Sequence, residues 1–166
     1  AGLEGTAIIA AQKREKLLET LPEELVDTAA DFYQYLSVVP EAKIAVETGV
    51  SAMHDVTEGG IFGALWEIGA AADLGISADL TKIPIRQETI EVCEVFGINP
   101  YQMMSSGSML IGCAKGNLLV DRLKEAGIPA AVIGRATDSN DRVITNGEET
   151  RFLEPAGSDE LYKIYE

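Results

Sequence analysis

Apolar residues recur along this chain with two rhythms, and the change between them falls near residue 50. Over residues 6–21, Ile8, Ile9, Leu17, Leu18 and Leu21 stand among charged neighbours and predict a helix. Pro22 suits the first turn of a second helix, Glu23 and Glu24 favour its positive end, and the segment runs to about Leu36. A short third helix is predicted over 40–48, closed by Gly49. Beyond it, short apolar runs alternate with helical ones. A strand over 50–54 leads to a helix over 60–74 stopped by Gly75, and a second strand follows over 76–80. After Pro84, the stripe of Ile90, Val92, Cys93 and Phe96 predicts a helix ended by Gly97. A strand over 109–114, a helix over 117–126 closed by Gly127 and a strand over 130–135 complete the alternation. Segments 142–145 and 150–153 flank Asn146-Gly147, a strong hairpin signal. Residues 156–166, rich in Gly, Ser and acids, read as a loose acidic tail. One compact unit of mixed helices and strands results.

Charge narrows the function classes. Thirteen Lys and Arg against 27 Asp and Glu leave a formal charge of −14 in 166 residues. A nucleic-acid binder needs clustered cations, and the densest basic run, Lys13-Arg14-Glu15-Lys16, is interrupted by an acid. Hydrophobic residues at 46% and charged residues at 24% are ordinary globular values, which excludes general disorder. The uncharged stretch 95–114 has the length of a membrane span, but Asn99, Pro100, Gln102 and the serines at 105, 106 and 108 exclude a hydrocarbon-embedded helix. With no signal peptide, no glycosylation acceptor and no CxxC around Cys93 or Cys113, a cytoplasmic setting is expected. The opening Ala1-Gly2-Leu3-Glu4-Gly5 leads to the expectation of a piece of a longer protein.

Reactive residue types concentrate at His54-Asp55-Val56-Thr57-Glu58-Gly59-Gly60, where a strand feeds a helix. The first amides of a helix lack internal partners, the helix dipole adds about half a positive charge there, and glycine lets a phosphate approach the backbone. Thr57 can cap the helix or bond a phosphate oxygen. Asp55 and Glu58 repel a bare phosphate, so the loop suits a magnesium-nucleotide complex better than a free anion, with Asp55 the metal ligand. The competing reading is purely structural, because glycine turns between strand and helix are common. No GxxxxGK[ST] occurs, which excludes a P-loop. His54 has no partner of fixed spacing and reads as a packed or capping residue. Ser105-Ser106-Gly107-Ser108, before the strand at 109, is a second candidate phosphate contact or an ordinary turn. Asp138-Ser139-Asn140-Asp141 lacks the glycine and distal glutamate of a calcium loop. The cysteines read as buried structural residues, and Met103-Met104 and Trp66 as core or interface residues.

Five ordered landmarks carry a resemblance: His54-Asp55-Val56-Thr57-Glu58-Gly59-Gly60-Ile61, Ile83-Pro84-Ile85, Phe96-Gly97-Ile98-Asn99-Pro100, Ser106-Gly107 before an apolar strand, and Ala131-Val132-Ile133-Gly134-Arg135. Over residues 1–155 the chain resembles the C-terminal domain of the aminoimidazole ribonucleotide (AIR) synthase-related superfamily, and within it the hydrogenase expression/formation (carbamoyl dehydratase) branch. The resemblance implies an α+β fold, a three-layer α/β/α arrangement whose mixed sheet is partly ferredoxin-like. It implies a homodimeric enzyme whose N-terminal domain, apparently absent from this chain, holds most of the ATP and Mg²⁺ ligands. The C-terminal domain closes over that domain. Asp55, Thr57, Gly59 and Gly60, with Ser106 and Gly107, then face the cleft and bind the cofactor. The implied chemistry is activation of an amide-like or other oxygen, on a small-molecule or protein-borne substrate, by transfer of the γ-phosphate.

Departures qualify it. Leu3-Glu4-Gly5 stands where that branch has Asp-His-Gly, Ser105-Ser106-Gly107 where it has Asn-Glu-Gly, and Lys163-Ile164-Tyr165-Glu166 where it ends in Pro-Arg-x-Cys. The nitrile-forming reaction of the branch is therefore not expected on this chain. Two readings stand: a domain of an ATP-dependent enzyme of unknown substrate, and a non-catalytic relative kept as a binding or assembly module, like those of hydrogenase maturation.

Overall fold

A computed structural model describes residues 1–165. The helical start contains α1 (Leu3–Gln12), α2 (Arg14–Leu18), α3 (Glu23–Ala30) with a 3-10 turn over Asp31–Tyr35, and α4 (Val39–Thr48). The alternating part follows as β1 (Ala52–Val56), α5 (Gly60–Ala72), β2 (Gly75–Asp79), α6 (Gln87–Phe96), β3 (Ser108–Gly112) and α7 (Gly116–Glu125). Three strands close it: β4 (Gly134–Thr137), β5 (Arg142–Asn146) and β6 (Glu149–Phe152). The class is α+β with a mixed sheet, as the sequence implies. The strands divide into an antiparallel pair, β1 with β3, and a four-stranded sheet ordered β4-β2-β5-β6 in which only β2 and β5 run parallel.

Three apolar clusters hold these layers together. In the first, Ile9, Ala10 and Leu17 meet Val26 and Ala29 of α3, Val92 and Cys93 of α6, and the distant Met103 and Leu161. In the second, Ile61, Ala64 and Leu65 of α5 pack on Val56 of β1, Ala78 of β2 and Ile144 of β5, which places α5 against both sheets. In the third, Ala45 of α4 and Leu119 and Leu123 of α7 cover the β1–β3 pair through Ile111.

Several boundaries differ from the sequence reading for physical reasons. The first predicted helix breaks at Lys13 (φ −116°, ψ 25°). Ile9 and Leu17, on either side of the break, enter the same cluster. The second ends as an α-helix at Ala30 and tightens into the 3-10 turn. Helix α5 stops before Gly75 because Asp73 itself takes the left-handed conformation, and the Leu74 amide reaches back to the Gly69 carbonyl. The strand expected over 130–135 starts only at Gly134, which pairs with Ala78 of β2 and where a Cβ would lie 2.3 Å from the Ser77 carbonyl oxygen; just before it the Asp79 amide donates to the Ile133 carbonyl at 2.8 Å. The hairpin turn is Gly147-Glu148, one residue beyond the Asn146-Gly147 pair, since Asn146 is already paired with Glu149. Gly147 alone supplies the positive φ of 61°. The expected loose tail is a 3-10 turn, Glu160–Tyr165, whose Leu161 is 4% exposed.

Two glycines with similar φ separate backbone strain from close approach. At Gly97 (φ +65°) an added Cβ meets nothing within 4 Å, whereas at Gly60 (φ +60°) it would lie 2.6 Å from the Tyr101 carbonyl oxygen and 2.8 Å from that of Met103. Gly97→Ala is expected to cost about 1 kcal/mol from conformation alone, and Gly60→Ala about 3 kcal/mol or more because backbone must also move. Urea unfolding midpoints at constant m measure the difference; equal losses would refute the close approach.

Candidate functional site

The loop between β1 and α5 splits into an outer and an inner half. Asp55, Thr57 and Glu58 are exposed, while Val56, Gly59 and Gly60 are buried. Strand pairing sets Asp55 opposite Met109 and Val56 opposite Ser108, so the end of β1 lies beside the start of β3. The Ser105 amide donates to the Thr57 carbonyl at 3.3 Å, and the Ser108 amide closes the serine turn on the Ser105 carbonyl at 3.0 Å. The start of α1 joins the same junction. The Gly5 amide donates to the Met104 carbonyl, the Gly2 amide to the Ser105 hydroxyl, and Leu3 lies 3.2 Å from where a Cβ on Gly107 would be. Three landmarks distant in sequence, residues 2–5, 55–60 and 104–108, therefore meet at one end of the domain.

The glycine amides do not face outward as the sequence reading has them. Gly59 donates its amide to the Asp159 carboxylate (Oδ2) at 2.7 Å, and Gly60 donates to the Thr57 carbonyl at 3.1 Å. Both are already hydrogen-bonded within the protein. Thr57 does not cap α5 with its hydroxyl; Gly59, in the left-handed conformation, is the N-cap, with no side-chain capping bond. Gly59 and Gly60 are glycines for packing reasons, the first against Ala156 and the second against the Tyr101 to Met103 backbone. Gly107 (φ +95°) is similarly pressed on the Tyr35 carbonyl, and Ser106 beside it is half-buried. The outer face of the junction offers Asp55, Thr57 and Glu58. Glu58 accepts a hydrogen bond from the Tyr162 hydroxyl at 2.9 Å, which raises the phenol above its ordinary pKa and keeps it a donor. Glu4, in the first turn of α1, has one carboxylate oxygen (Oε2) shielded from solvent and without a hydrogen-bond partner among the described residues.

Asp159 is the residue that sequence reasoning missed. It is 0% exposed, and its Oδ1 also accepts from the amides of Met104 (3.1 Å) and Leu161 (2.9 Å). Its signal lay in an aspartate two residues before Leu161 and five before Ile164: a capping side chain followed by an apolar i,i+3 pair.

His54 takes the structural role its isolation implied. Its Nε2 lies 2.9 Å from Glu67 Oε2 on α5 and its Nδ1 2.6 Å from the Asp55 carbonyl oxygen, pinning β1 to α5. Trp66 carries the Arg142 guanidinium over its ring at 5.3 Å. Among the described residues no group of three His, Cys, Asp or Glu side chains could enclose a metal. A lone exposed carboxylate such as Asp55 fits Mg²⁺, which takes one or two protein carboxylates together with phosphates and water. A groove of about 260 Å³, lined by Asp79, Lys82, Arg135 and Thr145, lies on the four-stranded sheet, away from this loop. No helix among the described residues is long and apolar enough to cross a membrane.

An α+β domain with an acidic, double-glycine turn from strand to helix is what fold and site together define. The family model for the AIR synthase related protein, C-terminal domain, matches residues 2–146, and the chain belongs to that family. Carbamoyl dehydratase HypE of Rhodobacter capsulatus is 33% identical over 97 residues, covering 56% of this chain and 28% of that protein. Phosphoribosylformylglycinamidine synthase subunit PurL of Chelativorans sp. (strain BNC1) is 27% identical over 158 residues, covering 92% and 20%. The structure of the hydrogenase maturation protein HypE in complex with ATP superposes with a TM-score of 0.63 at 21% identity, covering 74% of this chain and 40% of that one, a likeness of fold. The chain thus spans less than half the length of these relatives.

The two thiols differ in a way that chemistry can read. Cys93 is 1% exposed, and burial, followed by the nearby Glu160 charge, pushes its thiol up to about 12. Cys113 is half-buried, its sulfur accepting from the Lys115 amide at 3.3 Å. Thiolate is the reactive form, so at pH 8 a disulfide reagent is expected to modify Cys113 in the native protein and Cys93 only after unfolding. Rapid native modification of the Cys113→Ser variant would contradict the burial.

Proposed function

We propose that this chain is the C-terminal domain of an ATP-dependent enzyme that activates an amide-like or other oxygen by phosphoryl transfer. What carries the reading is the exposed Asp55-Thr57 edge of the β1–α5 loop, in a domain whose fold is like that of a HypE whose structure is in complex with ATP. Asp55 would hold a magnesium ion, which would supply charge neutralisation, and Thr57 would donate its hydroxyl to a phosphate oxygen. Helix α5 points its positive end at the same place. The three glycines would act through shape: Gly60 lets the Tyr101 to Met103 backbone pass against the loop, Gly59 admits Ala156 and Gly107 admits Tyr35, and Ser106 would border the phosphate side. Such a site works by positioning and charge stabilisation, the main requirement of phosphoryl transfer. Most ATP and Mg²⁺ ligands, and a homodimer interface, would come from an N-terminal domain. The magnesium ion would neutralise the phosphates that Asp55 and Glu58 otherwise repel.

A second reading, a binding or assembly module without catalysis, is favoured by one observation: the Gly59 and Gly60 amides are already taken by Asp159 and Thr57. Nucleotide binding by the full-length protein separates the two. At 100-fold excess over Kd, ATP with Mg²⁺ should stabilise the enzyme by about 2.7 kcal/mol, visible as a higher Tm. Asp55→Asn should lower kcat/KM for ATP at least about tenfold, as loss of a metal-site group does. An unchanged Tm together with no ATP turnover would leave the module reading.

A further inference from the structure

The C-terminal segment is strapped across the very loop assigned to phosphate. Ala156 presses its methyl on Gly59 and Gly63, Asp159 is buried on the Gly59 and Met104 amides, and Leu161 enters the first apolar cluster. Glu160 accepts from the Asn99 amide at 3.2 Å, and Tyr162 donates to Glu58. These anchors fall on residues 58–63, 99 and 104, so the segment bridges the glycine loop and the approach to the serine turn. A carboxylate completely removed from water survives because amide donors replace its hydration. The amides of Gly59 and Met104, beside the N-terminus of α5, are therefore an oxyanion seat, and the chain's own carboxylate fills it.

We propose that the segment 156–165 is an intramolecular strap whose Asp159 competes with a phosphate group for the amides of Gly59 and Met104, so that nucleotide binding and strap release are linked. This rests on the phosphoryl-transfer reading, which puts a phosphate at the same loop. A phosphate oxygen and a carboxylate oxygen make the same demand on backbone N–H donors. With the strap docked, Thr57 and Asp55 stay exposed while the amides behind them are occupied. Arrival of an anion would free Asp159, and loss of Glu58 from Tyr162 would follow because both contacts belong to the same short segment. If the strap is docked in about nine molecules of ten, releasing it raises apparent affinity about tenfold.

The test is hydrogen exchange on the full-length protein, with ATP and Mg²⁺ or with inorganic pyrophosphate, alongside their affinities for wild type and Asp159→Ala. The expected result is faster exchange across 156–165 and at the Leu161 amide when the anion binds, and an affinity about tenfold higher in Asp159→Ala. Nucleotide that binds while the strap keeps its protection overturns the strap and leaves the phosphoryl-transfer reading intact. No binding to either protein overturns both, and binding only to Asp159→Ala supports the strap. Since wild-type exchange needs no substitution, it decides the question even if Asp159→Ala does not fold.

Discussion

A carboxylate sealed from water holds the glycine-loop end of this domain in place. Burying an unpaired charge is strongly unfavourable, and a buried carboxylate persists only where donors replace its hydration. Asp159 meets that condition with three amides, one each from the glycine loop, the Met104 segment and its own turn. Because each donor is backbone, the arrangement dictates the path of three chain segments rather than the rotamers of three side chains. Gly59 has to be glycine where Ala156 arrives, Gly60 where the Tyr101 to Met103 backbone passes, and Gly107 where Tyr35 does. The meeting of residues 2–5, 55–60 and 104–108 is a consequence of that packing.

The regular elements were legible because period alone specifies them. Helices α5, α6 and α7 and strand β1 bury one face, and burial imposes spacing on the sequence. Boundaries were less legible wherever tertiary contacts outweighed the local signal. Nothing local marks Lys13 as a break: Ile9 and Leu17 on either side of it fall at i,i+8, a spacing that a continuous helix also puts on one face, and both enter one core. The apolar run at 130–133 resembles a strand, but ladder pairing with β2 begins at Gly134, with one further bond from the Asp79 amide to the Ile133 carbonyl. The terminal acids look solvated in sequence, and only the three-dimensional meeting with the Gly59 and Met104 amides makes Asp159 a core residue.

The same limit applies to the site. Asp55, Thr57, Gly59 and Gly60 stood out because reactive and permissive residues adjoin at a strand-to-helix turn. A glycine in sequence is ambiguous: absence of Cβ admits a ligand or admits the protein's own backbone. At Gly60 the distances decide for backbone, with three main-chain atoms of Tyr101 and Met103 within 3 Å of the missing Cβ. At Gly59 the amide is spoken for by a carboxylate, so any role in anion binding requires that carboxylate to leave.

Electrostatics gives the acidic character of the chain a local meaning. At physiological salt the field of a surface charge is screened over about 8 Å, so most of the 27 acids do not act on a ligand at this loop. Asp55 and Glu58 stand on the loop itself, and they are not equivalent. Glu58 shares its charge with the Tyr162 hydroxyl, and Asp159 is enclosed by amides. Asp55 is exposed and has no side-chain partner among the described residues, leaving its oxygens able to accept a cation without breaking any existing contact. A metal-bound nucleotide would thus meet a loop whose outer carboxylate is available and whose inner amides are held in reserve. Under the phosphoryl-transfer proposal, chelation at Asp55 and exchange at Asp159 would be successive demands on the same turn: the first would neutralise the incoming phosphate, and the second would make room for it.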